Sequence, residues 1–147
     1  MGYDNYLNSG MKIDHICFAV RDIREGITYW KEVFEYRQMT EVIENSLQKV
    51  KVVFMSKHES LLIKLIEPVP GNQSLINFVN KGGGFHHLCF KCHNIDQQIS
   101  ELTGKGLLTL VSPQPGEAFN NNKIAFMLAR HGINIELIDT DEKAGIL

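Results

Sequence analysis

The sequence predicts an α+β domain made of two tandem β-α-β-β-β modules related by a pseudo-two-fold axis. The first observation behind this is internal repetition. Laid over itself at an offset of 72 residues, Ile13-Asp14-His15-Ile16-Cys17-Phe18 falls on Phe85-His86-His87-Leu88-Cys89-Phe90. Without a gap, Ile23 then falls on Ile95, Ile27 on Ile99, Lys51 on Lys123, Phe54 on Phe126 and Met55 on Met127. Ile63, Leu65 and Ile66 fall on Ile135, Leu137 and Ile138. Two copies of so long a period mark a duplicated half-domain rather than a solenoid. The second observation is that each copy opens on a β-rich run followed by a helix start signal. The third is that no low-complexity linker divides the copies, so they share one core.

Taken in order, residues 1–10 are polar and lack the basic, apolar, small-residue order of a signal peptide, so a flexible leader is expected there. Lys12 to Val20 is rich in β-branched and aromatic types and reads as a strand. Asp22 is placed as a helix N-cap, with Glu25 three residues on, and Ile23, Ile27, Trp30 and Phe34 recur at helical spacing. Glu41 to Glu44, Val50 to Met55 and Leu61 to Glu67 read as strands, with a polar turn at residues 57–60. Module one is thus 11–68. The linker, 69–82, carries Pro70 and Gly71, a short helix from Ser74 to Asn80, and a glycine stop at Gly82-Gly83-Gly84. Module two, 83–140, repeats the plan: strand Phe85 to Cys92, cap Asn94 with Gln97, and a helix face of Ile95, Ile99 and Leu102. Leu107 to Val111, Lys123 to Leu128 and Ile133 to Asp139 follow as strands. Two prolines, Gly116 and three consecutive asparagines predict a long loop over 112–122, and residues 141–147 are expected to be a loose tail.

Composition narrows the function. The 147 residues carry 15 basic and 17 acidic side chains, a net charge of −2, which gives no pull toward nucleic acid or an anionic membrane. No apolar run approaches a membrane span, and the cytoplasm is the expected compartment. Three cysteines are too few for a disulfide framework. Cys89 and Cys92 are spelled C-x-x-C, but residues three apart on a strand face opposite ways and cannot share a metal. Cys17 and Cys89 read as small wall residues.

Strand parity singles out a site. The more apolar alternate positions must lie under the helices, so Ile16 and Phe18, and Leu88 and Phe90, face them. His15 and His87 are left on the open face. In the last strand of module two Glu136 shares a side with Ile138, and its counterpart Lys64 shares one with Ile66. These four residues form two symmetry-matched pairs that can converge in a cleft between the modules. Two imidazoles and a carboxylate on rigid strands suit a divalent transition metal. A single histidine on a strand is ordinarily structural; one repeated in both copies beside a buried-type glutamate is not readily set aside.

The ordered words Ile13-Asp14-His15, Ile63-Lys64-Leu65-Ile66-Glu67-Pro68, Gly84-Phe85-His86-His87, Lys123-Ile124-Ala125-Phe126 and Ile135-Glu136-Leu137-Ile138 resemble the vicinal oxygen chelate superfamily, which includes glyoxalases, bleomycin-resistance proteins and dioxygenases. The resemblance is nearest to the methylmalonyl-CoA epimerases and runs from about Lys12 to Asp139. It implies a curved mixed sheet around a central cleft, with His15, His87 and Glu136 as ligands of one divalent ion (Co, Mn, Ni, Zn or Fe). It also implies a homodimer.

Lys64 departs from that pattern, standing where these enzymes place Gln or Glu. A charged ammonium offers no lone pair and repels a nearby cation. Three arrangements are open. A three-ligand site holds metal; Lys64 pairs with Glu136 and fills the cleft without metal; or Lys64 is neutral and acts as base or ligand. The chemistry implied is proton abstraction next to a thioester or carbonyl, by an isomerase or lyase acting on a small-molecule substrate, with Glu136 and Lys64 as the catalytic groups. The alternative is a metal-free binder of an antibiotic or metabolite in which Lys64 recognises an anionic group. Gln48, Asn120 and Asn122, just before paired strands, are candidates for substrate contact. Glu67 and Asp139 fall on the opposite face and are expected in solvent; His86, His58, His93 and His131 are placed at the surface or in turns.

Overall fold

The computed structural model describes residues 10–147; the expected leader lies outside the described residues apart from Gly10. Module one comprises β1 (Lys12–Ala19), α1 (Ile23–Phe34), β2 (Arg37–Gln38), β3 (Ile43–Asn45), β4 (Val50–Ser56) and β5 (Leu62–Pro68). After α2 (Gln73–Asn80), module two comprises β6 (Gly84–Lys91), α3 (Ile95–Gly104), β7 (Leu108–Pro115), β8 (Lys123–Leu128) and β9 (Asn134–Ile138). All the strands join one curved, unclosed mixed sheet in the order β2-β4-β5-β1-β6-β9-β8-β7, with β3 paired to β4.

The order is two-fold about its centre. β1 pairs in parallel with β5, and β6 in parallel with β9, while β1 and β6 run antiparallel along the seam. α1 and α3 each cover the outer face of their own half, while Leu75 and Val79 of α2 pack into the cluster on the opposite face. Ile23 and Ile27 of α1 pack on Val53, Met55, Ile63 and Leu65, with Ile16 and Phe18 beside them. Ile95 and Leu102 of α3 pack on Ala125, Met127, Ile135 and Leu137, with Leu88 and Phe90. A third cluster fills part of the other face: Cys17, Cys89, Val52, Phe54, Ile66, Phe119, Ile124 and Ile138. The apolar alternation therefore decides which face each strand turns to the cleft. Cys92 packs under α3 while Cys89 belongs to the inner cluster, as opposite parity requires.

α1 and α3 start as their caps dictate. The Asp22 carboxylate accepts from the Arg24 and Glu25 N–H groups at 2.9 and 3.2 Å, and the Asn94 side chain from Gln97 N–H at 2.9 Å. A carboxylate at the end of the module's last strand also serves each of these two helices. Glu67 accepts from Ile23 N–H at 2.8 Å, and Asp139, at the equivalent place, accepts from Ile95 N–H at 3.0 Å. These carboxylates lie off the cleft, as parity indicates. They are not idle in solvent, because a helix N-terminus has free N–H donors that attract negative charge.

Two expectations are corrected. Residues 112–122 are not one long loop: β7 runs through Pro115, and a 3-10 turn (Glu117–Phe119) follows. β7 is an edge strand, where proline removes no needed ladder bond. Ala118 and Phe119 are buried, and the turn is fastened to β3 by Ala118 N–H to Asn45 Oδ1 at 2.7 Å. Nor is the tail loose. Glu41 N–H donates to Gly145 O, Ala144 N–H to Ala118 O and Leu147 N–H to Met39 O, and Thr40 bridges Ile146. The tail supplies the missing partner for these backbone groups.

Candidate functional site

The central seam sets the site's register. Across the antiparallel pair His15 stands opposite Cys89 and Cys17 opposite His87. Along the parallel pairs Cys17 lies beside Lys64, and Cys89 beside Glu136. Each long polar side chain thus has a small sulfur neighbour, which leaves it room to lean to the two-fold centre. Burial pushes the Cys17 thiol up to about 12 and that of Cys89 well above its ordinary value, so both are neutral fillers.

His15, His87, Glu136 and Lys64 meet at that centre, all almost fully buried. One oxygen, Glu136 Oε1, is the hub: His15 Nε2 lies 2.9 Å away, His87 Nε2 3.0 Å and Lys64 Nζ 2.9 Å. Burial raises the Glu136 carboxyl, but Lys64 and the two imidazoles outweigh it and hold the group well below the usual carboxylate range. Burial likewise lowers Lys64, and Glu136 more than offsets it, so the ammonium is held above its ordinary value. The other oxygen, Glu136 Oε2, has no partner among the described residues.

Each histidine is oriented from behind by the residue before it. Asp14 Oδ2 lies 2.6 Å from His15 Nδ1, and His86 Nδ1 lies 2.7 Å from His87 Nδ1. These contacts were missed by parity, which sends neighbours to opposite faces. The β1/β6 register slips between Ile13 and His15 and again between Cys17 and Phe18, so that Asp14 and His86 are the extra residues of two β-bulges at equivalent places. His86, expected at the surface or along a wall and pointing away from His87, lines the cleft and contacts His87. Burial lowers His86 to about 4; burial and the Lys64 charge lower His87 to about 3. Neutral His87 donating from Nε2 has a bare Nδ1, so His86 is the donor between them. Behind His15, Asp14 pairs with Lys143 of the tail at 3.2 Å, and the Lys143 ammonium lies over the Phe54 and Phe119 rings.

Above His87 and Lys64 opens a cavity of about 710 Å³, within the range of small-molecule sites. Gln48 lines it, and its Oε1 is buried without a partner among the described residues. Asn120 and Asn122 do not line it. Asn120 takes left-handed backbone at the end of the 3-10 turn, and Asn122 Nδ2 donates to Phe119 O and Glu142 Oε2. In these places the asparagines serve the turn. His58, His93 and His131 are also outside the cavity lining.

The His15, His87 and Glu136 donor atoms lie within 4.8 Å of one another, a set right in kind for a divalent ion. Lys64 spoils the fit. Its ammonium bonds the same carboxylate oxygen, so carboxylate and ammonium cancel, and a dication gains no net negative charge from the set. With Lys64 in place these residues do not fit a divalent metal.

Comparison with known proteins bears on this constellation. The model of the Glyoxalase/Bleomycin resistance protein/Dioxygenase superfamily matches residues 14–126. The chain belongs to that superfamily. Divalent metals are often bound in the superfamily. The chain is 30% identical over 132 residues to the YqjC protein of Bacillus subtilis (strain 168), whose activity is unassigned, covering 87% of this chain and 91% of that one. It is 27% identical over 101 residues to the mitochondrial methylmalonyl-CoA epimerase of Mus musculus, covering 67% of this chain and 56% of the mouse protein. A Streptomyces coelicolor methylmalonyl-CoA epimerase variant, solved in complex with 2-nitronate-propionyl-CoA, superposes with a TM-score of 0.77 at 21% identity, over 90% of this chain and 99% of that one. Among the described residues no helix is long and apolar enough to cross a membrane.

Proposed function

We propose that this superfamily member abstracts a proton next to the carbonyl of an acyl thioester or similar enolisable compound, as an isomerase or lyase, with the substrate in the cleft above His87 and Lys64. The observation that carries the reading is the Glu136 carboxylate. Its Oε1 lies within 3.0 Å of His15 Nε2, His87 Nε2 and Lys64 Nζ, and its Oε2 is buried without a partner among the described residues. Although Glu136 does not itself line the substrate-sized cavity, two of the side chains that hold it, Lys64 and His87, do. The epimerase relatives support the choice of substrate class.

A substrate carbonyl oxygen brought to Lys64 Nζ accepts from the ammonium, which polarises the carbonyl and stabilises the negative oxygen formed when the neighbouring carbon loses its proton. As Lys64 shares its charge with that oxygen through its other N–H groups, it stabilises Glu136 less and the carboxylate gains basicity, so it can take the proton. His87, oriented by His86, and His15, oriented by Asp14, keep the carboxylate in place. Gln48 Oε1 offers an acceptor to an N–H or O–H of the substrate. No step here runs through a metal.

Incubation with a panel of acyl-CoA thioesters in D₂O, read by NMR and mass, tests this. Deuterium should enter the carbon next to the thioester, and Glu136→Gln should abolish the exchange. A second reading is a non-catalytic binder of an anionic antibiotic or metabolite, favoured by the fact that three donors already quench the one base. Ligands that raise the thermal midpoint without any deuterium uptake would establish that reading instead.

A further inference from the structure

The cleft floor carries a cation of its own. Lys64 Nζ reaches the same oxygen that both imidazoles address, from the strand equivalent to the one that bears Glu136. Its side chain lines the cavity and is otherwise enclosed. An ammonium has three N–H donors. One serves Glu136 Oε1, and no other described residue accepts from Lys64. The spare donors have only the cleft to serve. The cavity wall adds Lys81, His86 and His87 and a series of side-chain amides, and no aspartate or glutamate is among the residues that line it. Such a wall favours an anionic guest over a cationic one.

The charges around the hub leave little for a dication. Glu136 is neutralised by Lys64, and Asp14 behind His15 is neutralised by Lys143. An ion within bonding distance of the two Nε2 atoms and Glu136 would lie a few ångströms from a buried ammonium. In so enclosed a place that repulsion is weakly screened.

We infer that the Lys64 ammonium is the resident cation of this site: it excludes a divalent ion from the His15, His87 and Glu136 donors and presents its free N–H groups to an anionic oxygen of the ligand, a carboxylate or an enolate. The role toward the ligand oxygen rests on the proposed function; the exclusion of the ion does not. The site is thereby a metal-ligand set converted by one side chain to organic-cation chemistry.

Cobalt titration by calorimetry, with metal content measured on chelator-free protein, tests the inference without any assay of turnover. Wild-type protein should take up no stoichiometric Co²⁺. Lys64→Gln should bind one Co²⁺ with an affinity higher by roughly a hundredfold or more, and Lys64→Gln/His87→Ala should lose it. Wild-type protein that binds one Co²⁺ and loses it in His87→Ala overturns the inference. So does a Lys64→Gln protein that binds no more tightly than wild type, for then something other than Lys64 keeps the ion out. A measurement on wild-type protein alone covers the case in which the variants do not fold: Mn²⁺ should leave the amide signals of residues 15, 87 and 136 unbroadened, and selective broadening there overturns the inference. If these results hold while thioesters show no deuterium exchange, the resident cation stands and the enzymatic reading falls.

Discussion

Lys64 Nζ and Glu136 Oε1 are 2.9 Å apart, and the two residues are symmetry mates, 72 positions apart in a chain that repeats at that interval. The duplicated module thus supplies both halves of its own central ion pair, with opposite charges in equivalent places. Buried ion pairs of this kind are costly to break one side at a time, because the surviving charge has neither water nor partner. Lys64→Ala or Glu136→Ala should lower unfolding free energy by about 3–5 kcal/mol. Lys64→Met/Glu136→Gln, which removes both charges and keeps the volume, should lie much closer to wild type. Urea denaturation of the three variants measures this, and equal losses in all three would show that volume rather than charge is at stake.

Acid should unfold the protein early. The His86 and His87 values, about 4 and about 3, lie below the ordinary histidine value of 6.5, so the folded state binds fewer protons than the unfolded chain as pH falls through that window. Stability present above pH 6.5 is therefore lost on acidification, by about 1.4 kcal/mol per pH unit for each histidine. Glu136, held below its ordinary 4.5, adds a loss of the same sign at lower pH. Denaturation midpoints from pH 7.5 to 4 should fall steadily, and the His86→Gln variant should show a shallower slope.

Phe119 is fully buried, stacks on His15 with ring centroids 6.2 Å apart and meets Phe54 edge-on at 5.7 Å. Phe119→Ala should cost about 3–5 kcal/mol through lost burial and the cavity left behind. Thermal or urea unfolding checks it; a loss under 1 kcal/mol would mean that the segment closes over the gap.

The twin acids Glu67 and Asp139 should contribute alike. Glu67→Gln and Asp139→Asn each remove a negative charge from a helix N-terminus, and each should cost about 0.5–2 kcal/mol. Hydrogen exchange should speed up at Ile23 N–H in the first variant and at Ile95 N–H in the second, with little crossover.

Much of this was legible because two periods agree. The 72-residue repeat and the alternation around His15, His87, Lys64 and Glu136 together fix both the module plan and the cleft face, and the four side chains meet as parity requires. Parity fails at Asp14 and His86 for a stated reason: a bulge inserts one residue, and nothing in the local composition marks where a strand pair will slip. The segment 112–122 reads as a loop because prolines and asparagines describe backbone preference and not burial. The one signal against a loop was Phe119, a lone large apolar side chain in a polar stretch. The tail carried no periodicity at all, and its docking depends on partners (Met39, Glu41, Ala118) that only the folded chain brings near.

The seam between β1 and β6 divides ownership of the chemistry evenly. One half brings His15 and Lys64, the other His87 and Glu136, so neither fragment of a chain severed between Pro70 and Gly82 would own a complete centre. Mixing the separated pieces and watching for the carboxylate–ammonium contact to re-form would turn the internal repeat into a complementation assay, in which the restored ion pair reports that two halves have found each other.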